Sequence, residues 1–65
     1  MWITYKKLRN ILDLADMQLK ELHHGAGISN DAIAKINKDE YISMKNLEKI
    51  ARYLKKNIGD IIELK

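Results

Sequence analysis

The chain has 65 residues, 46% of them hydrophobic and 32% charged, with a formal net charge of +3. Those figures fit one small folded domain over residues 1–65 and exclude a disordered tail. A domain of this size buries only ~60% of the surface its unfolded chain exposes. With no cysteine in the sequence, neither a disulfide staple nor a thiolate metal site is available. Stability must therefore come from helix packing, with or without dimerisation.

No apolar run approaches the ~20 residues of a membrane span, and MWITYKKLRN lacks the uninterrupted apolar core of a signal peptide. The expectation is a cytoplasmic protein that meets no membrane. The positive balance permits a nucleic-acid partner without proving one. Proline is absent and glycine occurs only at positions 25, 27 and 59, so helices can run with few forced breaks.

In chain order, residues 1–4 form a short apolar start, able to make a brief extended segment, with Thr4 a candidate N-cap. The spacing predicts a first helix over 5–16. Leu8, Leu12 and Ala15 lie on one face there, with Ile11 alongside. Asp16 and Met17 make a short connection, with Met17 turned inward. A second helix is expected over 18–25, with Leu19, Leu22 and Ala26 inward. Gly25 weakens its last turn, and Gly27 suits a left-handed position just past the helix end.

Ser29 is placed to cap a third helix over 30–38, in which Ile33 and Ile36 face the core. Asp31 in its first turn is favourable against the helix dipole. That helix shows solvent Asn30, Asp31, Lys35, Asn37 and Lys38. Residues 39–42 read as a loop. Ser43 then starts a fourth helix over 44–55, with Leu47, Ile50, Ala51 and Leu54 inward. Asn57 either ends that helix in a left-handed conformation or caps the next turn. Residues 58–62 make one further helical turn with Ile58 and Ile61 inward, and 63–65 form a tail. The sum is an all-α orthogonal bundle of five helices, the last very short.

No catalytic or metal constellation emerges. His23 and His24 are neighbours on a helix and point about 100° apart, so one metal cannot easily take both. There is no nucleophile motif and no glycine-rich phosphate loop. A chain this short hardly builds a substrate pocket of ~300 Å³ and keeps a core. The expectation is a binding module, not an enzyme, with no cofactor, no metal and no small-molecule ligand.

The pattern resembles the XRE or Cro/CI-type helix-turn-helix transcriptional regulators over essentially the whole chain. The residues that carry the resemblance are Tyr5-Lys6-Lys7-Leu8, Leu22 before Ala26-Gly27-Ile28-Ser29, and Ile33-Ala34-Lys35-Ile36. Ser43 with Leu47 and Lys49-Ile50, and the closing Ile58-Gly59-Asp60-Ile61, complete it. The resemblance implies a five-helix bundle of the lambda-repressor-like DNA-binding type, with helices 2 and 3 forming the helix-turn-helix and helix 3 entering the major groove. Asn30, Asp31 and Lys35 match base-reading positions. Gln18, Ser29, Asn37 and Lys38 match positions near phosphates. The chain departs from the family pattern at Gln18 and Leu19, at His23 where alanine is usual, and at Asp39 where glycine is usual.

The implied function is sequence-specific binding of double-stranded DNA, as a transcriptional repressor. Lys6, Lys7, Arg9, Lys20, Lys38 and Lys45 are candidates for its electrostatic footprint. A homodimer on a palindromic operator is the usual means of reading more than a few base pairs. Trp2, Ile3, Ile61, Ile62 and Leu64 either supply that dimer surface or join the termini within one monomer. The alternative is an antitoxin-like, protein-binding helical module with DNA binding secondary.

Overall fold

The first and last described segments of the chain pair with each other. In the computed structural model, which describes residues 3–64, strand β1 (Ile3–Thr4) pairs antiparallel with strand β2 (Glu63–Leu64), Ile3 opposite Leu64 and Thr4 opposite Glu63. Between them run helices α1 (Lys6–Leu14), α2 (Glu21–Gly25), α3 (Asn30–Asn37) and α4 (Met44–Leu54), then a 3-10 turn (Ile58–Asp60). The expected five-helix, all-α bundle is therefore four α-helices and a 3-10 turn, closed by a two-stranded ribbon. The tail expected at 63–65 is strand as far as Leu64, and Lys65 lies outside the described residues.

One apolar core joins all of these elements. Ile3, Tyr5, Leu8 and Leu12 enter from the N-terminal end, Leu22, Ile28, Ala32 and Ile36 from the helix-turn-helix, and Leu47, Ile50, Ala51 and Ile61 from the C-terminal half. The i, i+4 spacing of Leu8 and Leu12 puts both on the inner stripe of α1. Ala15 does not join them: α1 stops at Leu14, and Ala15 lies exposed in the turn after it. Met17, Leu19, Ala26, Ile33, Leu54 and Ile58 are half-buried around the core, as their spacing predicts.

Three helices end on a non-glycine residue in the left-handed conformation: Asp16 (φ 56°), Asp39 (φ 54°) and Lys55 (φ 58°). Each end closes the same way. Met17 N–H donates to the Leu12 carbonyl at 2.8 Å, Glu40 N–H to Lys35 at 2.8 Å and Lys56 N–H to Ala51 at 2.8 Å. These six-to-one bonds satisfy carbonyls that the last turn leaves without a partner. Lys55, not Asn57, thus makes the left-handed end of α4. Asn57 takes its other role and starts the 3-10 turn, its N–H held by the Asp60 carboxylate at 3.1 Å.

The helix starts follow the serines. The Ser29 hydroxyl accepts from Ala32 N–H at 3.2 Å, and the Ser43 hydroxyl accepts from Asn46 N–H at 3.1 Å. The N-cap of α1 is Tyr5 and not the expected Thr4, which stands one residue earlier and whose hydroxyl accepts from Lys6 N–H at 3.3 Å. The second helix is shorter than the expected 18–25. Glu21, Leu22 and His23 N–H groups bond to carbonyls three residues back, so residues 18–20 form a tighter lead-in.

Of the dimer-surface candidates, Ile3 and Ile61 are buried within the monomer, Ile62 is half-buried and Leu64 is exposed. Burial of Ile3 and Ile61 removes them from any outer surface. Trp2 lies outside the described residues.

Candidate nucleic-acid interface

The turn between α2 and α3 sets the site. Gly27 takes φ +78°, where a Cβ would be strained, and this lets the chain reverse between the helices. Ile28 comes next as a fully buried anchor. His23, at the position where alanine is usual in the resembling family, leans on this turn. Its Nδ1 lies 2.7 Å from the Ile28 carbonyl, which can only accept, so Nδ1 carries the proton in that bond. The Lys49 ammonium, 3.5 Å from the Gly27 carbonyl, reaches the turn from α4.

On α3, Ala32 and Ile36 are buried and Ile33 half-buried, which fixes the opposite arc toward solvent. At 100° per residue, Asp31, Lys35 and Lys38 form one outer row, and Asn30, Ala34 and Asn37 the next. Asn30, Asp31, Lys35, Asn37 and Lys38 are all exposed. Ser29 and Gln18 are exposed too, and the Gln18 N–H is held by the Glu21 carboxylate at 2.8 Å.

A cleft of about 170 Å³ lies between α3 and the start of α4. It brings Ser29, Asp31 and Lys35 together with Ser43 and Asn46 over a floor of Ala32 and Ile42. Asn30, Gln18, Asn37 and Lys38 lie outside it. In the sequence Ser43 starts a helix and Asn46 lies three residues into it. Their place beside Asp31 and Lys35 depends on the angle between α3 and α4, which spacing does not encode.

Three of the cationic side chains lie beside carboxylates. The Arg9 guanidinium pairs with Asp39 at 3.0 Å, Lys7 lies 4.0 Å from Glu63, and Arg52 lies 3.8 Å from Glu48. Among the described residues Lys6, Lys20, Lys35, Lys38, Lys45, Lys49, Lys55 and Lys56 make no ion pair. Nor is Asp39, after α3, an open negative charge: its carboxylate also accepts from Tyr5 N–H at 3.1 Å. Among the described residues no helix is long and apolar enough to cross a membrane.

A capped helix held by one face across a glycine turn, with an outer arc of amides, a carboxylate and free lysines, defines a helix-turn-helix unit. The family model of the Cro/C1-type HTH DNA-binding domain matches residues 7–65, and the chain belongs to that family. Among solved structures, the chain is similar to the crystal structure of the transcriptional regulator VanUg, form II. The TM-score is 0.89 and the sequence identity 39%, over 95% of this chain and 83% of that one. No curated protein sequence matches the chain.

Proposed function

We propose that the protein is a cytoplasmic transcriptional repressor that binds double-stranded DNA sequence-specifically, laying α3 in the major groove. The observation that carries this reading is the division of α3. Ala32, Ile33 and Ile36 fasten one arc to the protein, and every side chain on the other arc is exposed. The major groove admits an α-helix and presents a distinct donor and acceptor pattern for each base pair.

In this reading Lys35 donates to guanine O6 and N7, Asn30 pairs with adenine N6 and N7, and Asp31 accepts from a cytosine amino group. Asp31 repels phosphate, so its contribution is selectivity more than affinity. Ser29, Gln18, Asn37 and Lys38 hold phosphates on either side. Two copies read the two halves of a palindromic operator one helical turn apart (~34 Å). Support for the second copy comes from the exposed apolar side chains of Tyr41, Met44 and Leu64, which border a hollow of about 350 Å³ with Ile62.

Selection of bound sequences from a random DNA pool at near-physiological salt tests the reading. A palindromic motif is the expected result, and a pool with no enriched motif overturns it. Sedimentation with and without the selected DNA checks the dimer. A promoter that carries the selected site should be silenced by the protein in a reporter strain, and activation would refute the repressor assignment.

A further inference from the structure

We propose that Asp39 is a positioning residue for DNA recognition, clamping the C-terminal end of α3 to the first turn of α1 through Arg9 and Tyr5. The inference rests on the function proposed above. Four hydrogen bonds make the clamp. The Arg9 guanidinium donates to the Asp39 carboxylate at 3.0 Å and, from the same nitrogen, to the Ile36 carbonyl in the last turn of α3 at 3.0 Å. The Tyr5 N–H donates to the same Asp39 oxygen at 3.1 Å. The Tyr5 hydroxyl, on a fully buried ring, donates to the Glu40 carbonyl at 2.6 Å.

Asp39 occupies a place that suits glycine, since its φ is 54°. A glycine there would end α3 without strain and without a negative charge beside the proposed DNA surface. The carboxylate costs both and gives in return a fixed terminus for the helix that carries Asn30, Asp31 and Lys35. Base edges are read by directional hydrogen bonds that depend on where the helix lies, whereas phosphate contacts carry no sequence information. A clamp on α3 therefore acts on the choice between sequences more than on attachment to DNA.

This gives Asp39→Gly effects of opposite sign on two quantities. Removing a negative charge should hold or raise affinity for non-specific duplex. Loosening α3 should lower affinity for the selected site, so that the ratio of the two falls about tenfold, the scale of one mismatched base pair. Asp39→Asn tolerates the left-handed conformation and keeps an oxygen acceptor for Tyr5 and Arg9, so it should recover part of that ratio.

The experiment measures both affinities for the wild type and the two variants, at a temperature where circular dichroism shows each folded. Hydrogen exchange of the Asp39 and Glu40 amides is monitored in parallel. Faster exchange at those amides in Asp39→Gly, with the fallen ratio and partial recovery in Asp39→Asn, supports the clamp. An unchanged ratio in Asp39→Gly, equal gains on both DNAs, or unchanged exchange overturns it. A selective wild type with an insensitive Asp39→Gly sinks this inference alone. A wild type without sequence preference sinks the proposed function and the inference together.

Discussion

The backbone of Gly25, at the end of α2, lies under the ring of Tyr53 on α4. A Cβ built at Gly25 would fall 2.6 Å from the Tyr53 hydroxyl oxygen and 2.7 Å from Cε1. The glycine that weakens α2 in the sequence is therefore the residue that lets a tyrosine of α4 close over it. Alanine at this position should gain about 0.5–1 kcal/mol of helix preference. It must also push the ring, which is 42% exposed and can swing outward. Gly25→Ala should thus stabilise a Tyr53→Ala background by more than it stabilises the wild type. Denaturant titration of the four proteins gives the coupling, and equal effects in both backgrounds would show that the ring does not depend on the glycine.

The left-handed helix ends make a second prediction. Lys55 and Asp16 each hold a left-handed conformation, which costs a residue with a Cβ about 1–2 kcal/mol and a short polar residue such as aspartate less. Glycine removes that cost but adds backbone freedom to the unfolded chain, worth about 0.5–1 kcal/mol. Lys55→Gly should stabilise by about 0.5–1 kcal/mol in thermal unfolding, and Asp16→Gly by less, without loss. Asp39→Gly should not behave like them, because the clamp is lost. A uniform gain at all three positions would remove the distinction drawn for Asp39.

The same residues explain which parts of the fold are legible in the sequence. Spacing reveals the core: Leu8 with Leu12, then Leu22, Ile36, Leu47 with Ile50, and Ile61 are all buried. Ser29 and Ser43 mark helix starts, and their hydroxyls do cap the helices. Helix ends are harder to place, because only Gly27 announces a stop. Asp16, Asp39 and Lys55 make left-handed turns with side chains that carry no such signal. The terminal ribbon is legible only in part, since two-residue strands have too little length for an alternating pattern.

The candidate interface is legible as a helix face and not as a surface. The exposed arc of α3 comes from a 3.6-residue period. The neighbours that complete it do not, since Ser43 and Asn46 reach Asp31 and Lys35 only through tertiary packing. The Tyr5–Asp39 and Arg9–Asp39 contacts join residues 34 and 30 apart in sequence. Tyr5, an ordinary first residue of α1 by its sequence, is a buried core residue with a hydroxyl in use.

The two capping serines can be separated by function. Ser29→Ala and Ser43→Ala should each cost ~1 kcal/mol of stability through loss of an N-cap. If Ser29 also holds a phosphate, its variant should lose affinity for every DNA sequence by a similar factor, with a shallower salt dependence. Identical stability loss with wild-type DNA affinity and salt slope would confine Ser29 to capping.

Alkaline titration reads the Tyr5 hydroxyl. Burial pushes its pKa above the ordinary value near 10, a backbone hydrogen bond from Ile42 partly opposes the rise, and the Asp39 charge adds to it. The folded protein therefore keeps this proton to higher pH than the unfolded chain does. The corresponding stability is complete below pH ~10 and is lost as pH climbs through the raised folded value. Tyr5→Phe should be less stable than wild type at neutral pH by about 1 kcal/mol, for the lost bond to the Glu40 carbonyl. That gap should narrow above pH ~10, measured as denaturant midpoints over the alkaline range. A gap constant with pH would mean that the hydroxyl titrates alike in both states.

Lys35 gives the sharpest test of the reading helix. It is exposed, it makes no ion pair among the described residues, and it lines the cleft with Asp31 and Asn46. Lys35→Ala should therefore leave stability within about 0.5 kcal/mol of wild type. Against the selected operator it should cost ~1–3 kcal/mol and relax preference at one base position, the signature of a base-edge contact. A phosphate contact would instead lower affinity evenly across sequences and reduce the salt slope by about one. Repeating the site selection with Lys35→Ala distinguishes the two, because only the first outcome erases a single column of the motif. A motif that keeps every column removes Lys35 from base reading and leaves Asn30 and Asp31 as the side chains on which selectivity must rest.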